Sequence, residues 1–386
     1  MQIDYGSTAD EDDDDKKPAA AKKKKLEEEA STLGAGVQGL MKLIGSKEAM
    51  NLAMKELEVD TTRMPLGKIS KDQIKKAYGC LTAIETELKK KSPNVQEQTD
   101  LFYTLIPHDF GFRKPPLINS DAMLKAKIEM LETLSGLEIA SKLLDNAEAA
   151  QGTTRVKNHL DRTYDSLHCK IEELDEKDPV FDAVKTYVKN TKGATHRLYQ
   201  LEVEKVFSIE REGESSRYTT HYGKVGNKRM LWHGSRMTNF VGILSNGLRI
   251  APPEAPVTGY MFGKGIYFSD VSSKSANYCN TTRTSNTGLM LLCEVALGEQ
   301  KEYVQASYVT KLPAPYQSTK GVGQMFPDPK GEITVGGETD VIWPVGKMTK
   351  DDEDKRNLAL LYPEHIVYDV NQCRMRYLVQ LKFKYN

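Results

Sequence analysis

The chain has 386 residues with 54 basic and 54 acidic side chains, so it is long enough for two domains and has no net charge. A zero balance argues against a protein that coats nucleic acid along its whole length. No apolar run reaches the length of a membrane span, and the N-terminus lacks a hydrophobic signal core. These features predict an intracellular protein that does not enter a membrane.

The five cysteines show no CxxC spacing. Their odd number and irregular placement argue against a disulfide framework and against a zinc site. The expectation is therefore a reducing compartment and a protein that uses no metal.

The N-terminal segment is dominated by blocks of like charge. An acidic run at residues 10–15 meets lysines at 16–17 and 22–25. Such blocks cannot build a core, so residues 1–30 are predicted to form a disordered linker. The second lysine cluster has two interpretations, a nuclear localisation signal and a solvated linker, and the sequence leaves both open.

Residues 31–150 are predicted to form an all-α bundle, because apolar side chains recur at helical spacing. The three clearest stripes are Val37, Leu40, Met41 and Ile44; Ile74, Tyr78, Leu81, Ile84 and Leu88; and Leu124, Ile128, Leu131 and Leu134. Ser70 followed by Gln73 is a capping-box start for the second stripe. The proline-containing stretches at 65–67 and 106–116 separate the helices.

Residues 151–386 show a different period. Apolar and polar residues alternate at 201–209 and 375–383, and residues 289–297 form a short apolar run suited to a buried strand. Residues 160–192 still show helical spacing and are expected to pack on the sheet. The pattern predicts an α+β domain with antiparallel strands.

Three segments of this half place polar residues among apolar ones: residues 231–236, residues 259–278 and residues 363–368. Taken singly, each has a plain structural interpretation as a turn, a group of core aromatics or a surface charge. The half contains no dinucleotide GxGxxG fingerprint, no phosphate-binding P-loop and no HExxH motif. A nucleotide bound here would therefore use a different cradle.

Together and in this order, the three segments resemble the catalytic domain of the poly(ADP-ribose) polymerases. The likeness runs through residues 231–298 and resumes at 361–383. The helical half is similar to the regulatory domain of the same family, in residues 64–68 and in residues 102–111. Several specific motifs in the correct order make a chance match negligible.

The resemblance implies an ADP-ribosyltransferase fold with two antiparallel sheets and an enzyme that cleaves NAD⁺, its substrate, at the nicotinamide–ribose bond. That cleavage builds positive charge on the ribose, as glycoside hydrolysis does. Glu364 would stabilise this charge and orient the incoming hydroxyl, and His233 and Tyr267 would complete the catalytic set. The expected NAD⁺-binding residues are His233, Gly234, Ser235, Gly242, Arg249, Lys274, Ser275 and Tyr278.

For the nicotinamide end, the resemblance implies that the Gly234 backbone and the Ser275 hydroxyl hold the amide. The rings of Tyr278 and Tyr267 would cover the two sides of the nicotinamide. Lys274 would lie on the acceptor side.

For the adenosine end, His233 would bind the ribose, and Ser235 and Arg249 would bind the adenine side. Gly242 would let the ribose lie against its helix.

In this family a His-Tyr-Glu set accompanies chain elongation, so Glu364 favours a polymerase. The loop at residues 316–324 resembles one that borders the acceptor site, although its glycines fit plain turns equally well. The alternatives are a mono-ADP-ribosyltransferase and an inactive scaffold that binds partners or DNA ends.

The resemblance also implies that the helical half blocks NAD⁺ entry until DNA breaks release it. Glu129 and Glu132 would face the pocket and repel an anionic dinucleotide, or would simply form a solvated face. Residues 1–5 resemble the end of a WGR domain, so DNA would be sensed by an upstream domain outside this chain. Protein acceptors, including the enzyme itself, a nuclear location and a DNA-damage role are expected.

The chain also departs from the family at its end. Residues 384–386 lack the Leu-Trp tail of close relatives. This difference puts the docking of an accessory factor in doubt.

Overall fold

The computed structural model describes residues 28–149, 157–337 and 339–386. Most of the predicted linker at residues 1–30, including its charge blocks, lies outside these ranges, as does the expected domain boundary after residue 150. Within them, no helix is both long and apolar enough to cross a membrane. All five cysteines are buried and unpaired.

The first half is helical, as the apolar spacing predicts. Its helices are α1 (Ala35–Ile44), α2 (Lys47–Glu56), α3 (Lys71–Leu88), α4 (Gln96–Leu105) and α5 (Asp121–Ala149). Ser70 caps α3, since its hydroxyl accepts from the Gln73 amide at 3.2 Å. The predicted capping box is only half formed, because the Gln73 side chain donates to the Leu105 carbonyl at 2.6 Å. That bond ties α3 to the end of α4.

The second half alternates strands with shorter helices. In chain order these are α6 (His159–Ser166), β1 (Cys169–Glu173), α7 (Pro179–Asn190), β2 (Tyr199–Arg211), α8 (Glu214–Tyr222), β3 (Lys228–Gly234), α9 (Phe240–Asn246), β4 (Ile266–Phe268), α10 (Ser272–Ala276), β5 (Thr287–Ala296), β6 (Gln300–Tyr303), β7 (Ser318–Gly321), β8 (Met325–Pro327), β9 (Val341–Ile342), β10 (Met348–Lys350), β11 (Glu364–Val367) and β12 (Cys373–Tyr385).

The expectation of continuous helical structure over residues 160–192 was wrong in its middle. The five-residue strand β1 lies between α6 and α7 and pairs with β2. Its inward residues, Cys169 and Ile171, are buried, while Lys170 between them is exposed. Such a short run cannot be told from a helix by spacing alone.

The strands form a six-stranded sheet in the order β1-β2-β12-β5-β3-β9, a four-stranded sheet in the order β4-β11-β7-β6, and the pair β8-β10. The predicted α+β class is confirmed. The sheets are not wholly antiparallel, because β3 runs parallel to β9 and β6 runs parallel to β7. Paired backbone hydrogen bonds between Trp232 and Ser269, at 2.9 and 3.0 Å, join the two larger sheets.

Strand β5 lies inside the larger sheet and is apolar on both faces. Leu289 and Leu291 belong to one hydrophobic core, while Met290 and Leu292 belong to a second core on the other face. The first core continues without a break into the helical half, through residues of α5 such as Leu131 and Leu134. Because the helical half and the six-stranded sheet share this core, the helical half is docked directly on the sheet that carries His233.

Candidate active site

The register of β11 places Glu364 and Tyr267 on one face of the four-stranded sheet. Ile366 lies opposite Tyr267 in the antiparallel pair of β11 with β4, and Glu364 lies opposite Gly321 on β7. Alternate residues of a strand share a face, so Glu364, Ile366 and Tyr267 project together. A side chain at position 321 would not fit, since a Cβ there would lie 2.5 Å from the Phe262 ring.

His233 reaches the same region from the end of β3. Its Nδ1 lies 2.9 Å from the carbonyl oxygen of Tyr267. Since a carbonyl only accepts, Nδ1 carries the proton and Nε2 is left as an acceptor. Burial lowers the pKa of His233, and the bond to Tyr267 opposes that shift only in part. The imidazole is therefore neutral near pH 7 and suited to accept a bond from a hydroxyl.

The Tyr267 hydroxyl is engaged within the protein. It donates to the Gly263 carbonyl at 2.8 Å and accepts from the Phe262 amide at 3.0 Å. Gly263 has a φ of +87°, and a Cβ at this position would lie 2.1 Å from the Val309 carbonyl oxygen. Burial raises the pKa of Tyr267, so its hydroxyl stays protonated. Tyr267 therefore offers a ligand its ring face, while its hydroxyl holds the preceding loop.

Lys274 makes a close ion pair with Glu364. The Nζ–Oε1 distance is 2.9 Å, and the two side chains are 16% and 15% exposed. The same ammonium donates to the carbonyl oxygens of Tyr362 and Pro363, at 2.7 and 3.3 Å. Burial lowers the pKa of Lys274, and the Glu364 charge opposes this shift. Lys274, predicted to lie on the acceptor side, thus holds the carboxylate in place.

Gly234 and Ser275 lie against each other where α10 packs on β3. A Cβ at Gly234 would lie 1.8 Å from the Ser275 carbonyl oxygen, so no larger residue allows this packing. The Ser275 hydroxyl donates to the Trp232 carbonyl at 3.1 Å. The predicted nicotinamide-side residues are therefore neighbours, and the orientation of the serine is set by the strand beside it.

Tyr278 follows α10 in the turn Asn277–Cys279 and has 56% of its surface exposed. Burial around its hydroxyl raises the pKa of Tyr278 to about 12, and the negative charges of Glu364, Glu129 and Glu132 add to the shift. The ring is therefore accessible and lies near Glu364 and near the carboxylates of α5, and we call the space between them the cleft. One wall carries Glu364 and the other is α5.

Helix α5 covers the predicted adenine side of this cleft. A Cβ at Gly136 would lie 2.5 Å from Oδ1 of Asn239, whose amide nitrogen donates to the Ser235 hydroxyl at 2.9 Å. Nη1 of Arg249 lies 3.5 Å from the Ser135 hydroxyl. Ser235 and Arg249 therefore lie beside the regulatory helix.

Gly242, which was expected to lie beside a ribose, is covered by helix α5 in this arrangement. Gly242 is buried, and atoms of Gly136 and Ile139 lie 3.6 Å from the position that its Cβ would take. Helix α5 occupies the space in front of α9. The sequence could not show this, because it depends on how two distant helices dock.

Two residues beside the Lys274–Glu364 pair were not singled out from the sequence. The Tyr362 hydroxyl accepts from the Thr195 amide at 3.1 Å, and its ring lies 5.1 Å from that of His196. The His196 Nδ1 in turn lies 2.7 Å from the Ser273 hydroxyl. The sequence offered a signal for Tyr362, because it lies just before Glu364. It offered none for His196, which is a single histidine in a turn.

A helical bundle docked on an α+β domain, with a histidine, a tyrosine and a glutamate on neighbouring strands, is the architecture expected of an ADP-ribosyltransferase. The poly(ADP-ribose) polymerase catalytic domain model matches residues 180–383, and the poly(ADP-ribose) polymerase regulatory domain model matches residues 31–164. The chain belongs to the poly(ADP-ribose) polymerase family.

Curated relatives agree with this assignment. Poly(ADP-ribose) polymerase 1 of Danio rerio is 46% identical over 357 residues, which cover 92% of this chain and 34% of the relative. Poly(ADP-ribose) polymerase 2 of Homo sapiens is 43% identical over 358 residues, which cover 92% of this chain and 60% of the relative. The chain thus spans about a third of the first relative and 60% of the second.

Proposed function

We propose that this protein is an NAD⁺-dependent poly(ADP-ribosyl)transferase, which releases nicotinamide and attaches and elongates ADP-ribose on proteins. One observation carries the proposal. Glu364 and Tyr267 project from one face of a sheet, Lys274 holds the carboxylate at 2.9 Å, and His233 is bonded to the Tyr267 backbone. These side chains come from separate parts of the sequence, and the shared sheet face and the contacts between them support a common site.

In the proposed reaction the bond between the ribose C1′ and the nicotinamide nitrogen breaks. Its electron pair goes to the nitrogen and neutralises the nicotinamide, while positive charge develops on the ribose. The Glu364 carboxylate stabilises this charge and accepts a hydrogen bond from the incoming hydroxyl. That hydroxyl oxygen bonds to C1′ and its proton leaves through the carboxylate. A fixed group of this kind contributes about 3–4 kcal/mol to lowering the barrier.

The binding roles assigned to the cleft are also proposals. The Gly234 backbone and the Ser275 hydroxyl, adjacent at the β3–α10 junction, would hold the nicotinamide amide. The exposed ring of Tyr278 and the ring of Tyr267 would enclose the nicotinamide. The neutral His233 would bind a ribose hydroxyl through Nε2.

We assign the elongation of the ADP-ribose chain to the same carboxylate, that of Glu364. Glu364 is held by Lys274 and is close to the cleft surface, so it is able to position the hydroxyl of a growing chain as well as that of a protein. The Tyr362 and His196 rings border this side of the pair. The proposed scheme includes no metal, since the Glu364 carboxylate stabilises the developing charge.

The closed position of α5 supports a gating role for the helical half. The Tyr260 hydroxyl donates to the Glu132 carboxylate at 2.5 Å, while Glu129 is solvent-exposed on the same helix. With α5 in place, carboxylates face the cleft and the adenine-side residues are covered. NAD⁺ binding would therefore require α5 to move, and negative charge at Glu129 and Glu132 would disfavour a dinucleotide in the closed state.

We assign residues 31–150 to the regulatory domain and residues 151–386 to the transferase domain. DNA breaks would act through an upstream domain, acceptors would include the enzyme itself, and the nucleus is the proposed compartment. Only part of the length of the relatives is covered, so these assignments rest on the family.

Incubation with labelled NAD⁺, with and without nicked DNA, tests the function. We expect a ladder of long products on a denaturing gel. A single discrete shift would favour the mono-ADP-ribosyltransferase. Absence of turnover together with absence of NAD⁺-analogue binding by calorimetry would favour the inactive scaffold.

A further inference from the structure

A polar cavity of about 820 Å³ lies behind the catalytic strand. His365 and Lys320 line it and face each other across β11 and β7. Because β11 alternates its side chains, His365 projects from the face opposite to Glu364. The cavity is therefore separate from the proposed NAD⁺ cleft, with a single strand between them.

A buried pair of a histidine and an aspartate lies in the wall of this cavity. His365 is 4% exposed and Asp270 is 8% exposed. Nε2 of His365 lies 3.5 Å from Oδ2 of Asp270, and Nδ1 lies 3.3 Å from the amide nitrogen of Gln300. Since the Gln300 amide donates, Nε2 carries the proton toward Asp270. Within the described parts of the chain, Oδ1 of Asp270 has no hydrogen-bond partner.

The pair connects the two segments that carry the catalytic groups. His365 directly follows Glu364, whereas Asp270 lies between Tyr267 on β4 and Lys274 on α10. The Ser269 hydroxyl donates to the Pro363 carbonyl at 3.2 Å, next to this pair. Asp270 also acts on Lys274 through its charge, which opposes the lowering of the Lys274 pKa by burial.

A buried carboxylate with one unpartnered oxygen costs stability, so its position between the catalytic segments calls for a reason. The charges of Glu364 and Asp270 both act on Lys274, and the neutral His365 lies 3.5 Å from Asp270. We propose that Asp270 and His365 are positioning residues that fix the Lys274–Glu364 pair from behind. This inference rests on the proposed transferase function, because its purpose is to aim Glu364 at the incoming hydroxyl.

The first test uses Asp270→Asn, which keeps the shape and a hydrogen-bond acceptor for His365 but removes the charge. We expect kcat for polymer formation to fall by about ten-fold or more, with KM for NAD⁺ and benzamide affinity changed by less than about two-fold. Polymer length should fall more than nicotinamide release. His365→Phe should behave in the same way, and His365→Gln, which retains an N–H donor, should recover part of the loss.

The matched control is Asp351→Asn. Asp351 lines the same cavity but is exposed, and its carboxylate accepts from the Glu353 amide in a turn. Its removal should leave kcat, KM and product length unchanged. Equal loss in Asp351→Asn and Asp270→Asn would overturn the inference, and so would an Asp270→Asn protein with normal kcat and normal chains.

A second measurement does not depend on the enzymatic activity of the protein. Reductive ¹³C-methylation followed by NMR reports the titration of the Lys274 amine, assigned with Lys274→Arg. Glu364, Asp270 and His196 are the titratable groups that act on it. The midpoint should fall in Asp270→Asn and stay unchanged in Asp351→Asn. If the unmodified protein fails to turn over NAD⁺, the proposed function fails, while an unchanged midpoint in Asp270→Asn rejects the positioning pair.

Discussion

Nζ of Lys274 lies 2.9 Å from Oε1 of Glu364, and both side chains are mostly buried beside an open cleft. An ion pair in this setting limits the rotation of the carboxylate. Glu364 therefore meets the incoming hydroxyl already oriented, and the proposed reaction depends on this orientation.

Glu364→Gln should abolish chain growth while leaving the binding of a nicotinamide mimic nearly intact. The amide has the size of the carboxylate but cannot stabilise a developing positive charge, so polymer formation should fall by about 10²–10³. Calorimetry with benzamide and a gel assay with labelled NAD⁺ separate binding from chemistry. The exposed Glu299→Gln serves as control. Long polymer from Glu364→Gln would reject the role assigned to this residue.

Gly234→Ala should destroy the nicotinamide pocket. The new Cβ would lie 1.8 Å from the Ser275 carbonyl oxygen, so α10 must shift away from β3. We expect loss of benzamide binding and a lower melting temperature. Gly39→Ala is the matched control, because nothing lies within 4 Å of its Cβ position in α1. That change should raise stability by about 0.5–1 kcal/mol. Normal benzamide affinity in Gly234→Ala would contradict the predicted packing constraint.

Glu85→Ala should raise the basal rate of NAD⁺ turnover. Glu85 is 6% exposed and accepts from the Val257 and Thr258 amides, at 3.2 and 2.7 Å, across the contact between the two halves. Its loss leaves two amides without their partner and weakens the closed state by about 1–3 kcal/mol. Since about 1.4 kcal/mol corresponds to ten-fold in population, basal turnover should rise several-fold or more.

The control for this gate experiment is Glu97→Gln, an exposed carboxylate on α4 away from the contact. The rate measured without DNA by nicotinamide release should not change in this variant. A folded Glu85→Ala protein with an unchanged or lower basal rate would count against gating by the helical half.

The helical half should lose stability in mild acid through His108. Burial, and next the charge of Lys127, lower its pKa to about 4 from an ordinary 6.5. Nε2 accepts from Lys127 at 2.8 Å, so the folded state favours the neutral ring. Between pH 4 and pH 6.5 this histidine binds more protons in the unfolded chain than in the folded chain. The contribution of this histidine to the free energy of unfolding is thus complete above about pH 6.5. It is lost as the pH falls toward 4 and amounts to about 3 kcal/mol in all.

Calorimetric melting at pH 7 and pH 4.5 measures this effect. The double variant His108→Phe/Lys127→Met removes both polar partners together, and its melting temperature should drop less between the two pH values. An equal drop in both proteins would show that other groups cause the acid sensitivity.

Local features of the fold could be predicted because they depend on residues a few positions apart. Ser70 begins α3, the apolar stripes lie on the buried faces of the helices, and the run around Leu291 forms a buried strand. The short strand β1 was missed, since five residues between two helices carry too little periodic signal.

The sequence by itself determined the helical and the α+β halves, the family and a set of candidate site residues, because motif spacing and side-chain chemistry are written along the chain. Only the tertiary structure decided which of them meet. Sheet register put Glu364 on the same face as Tyr267 and His365 on the opposite face, and helix docking placed α5 over Gly242. Register and docking depend on packing between residues far apart in the chain, and no local pattern encodes them.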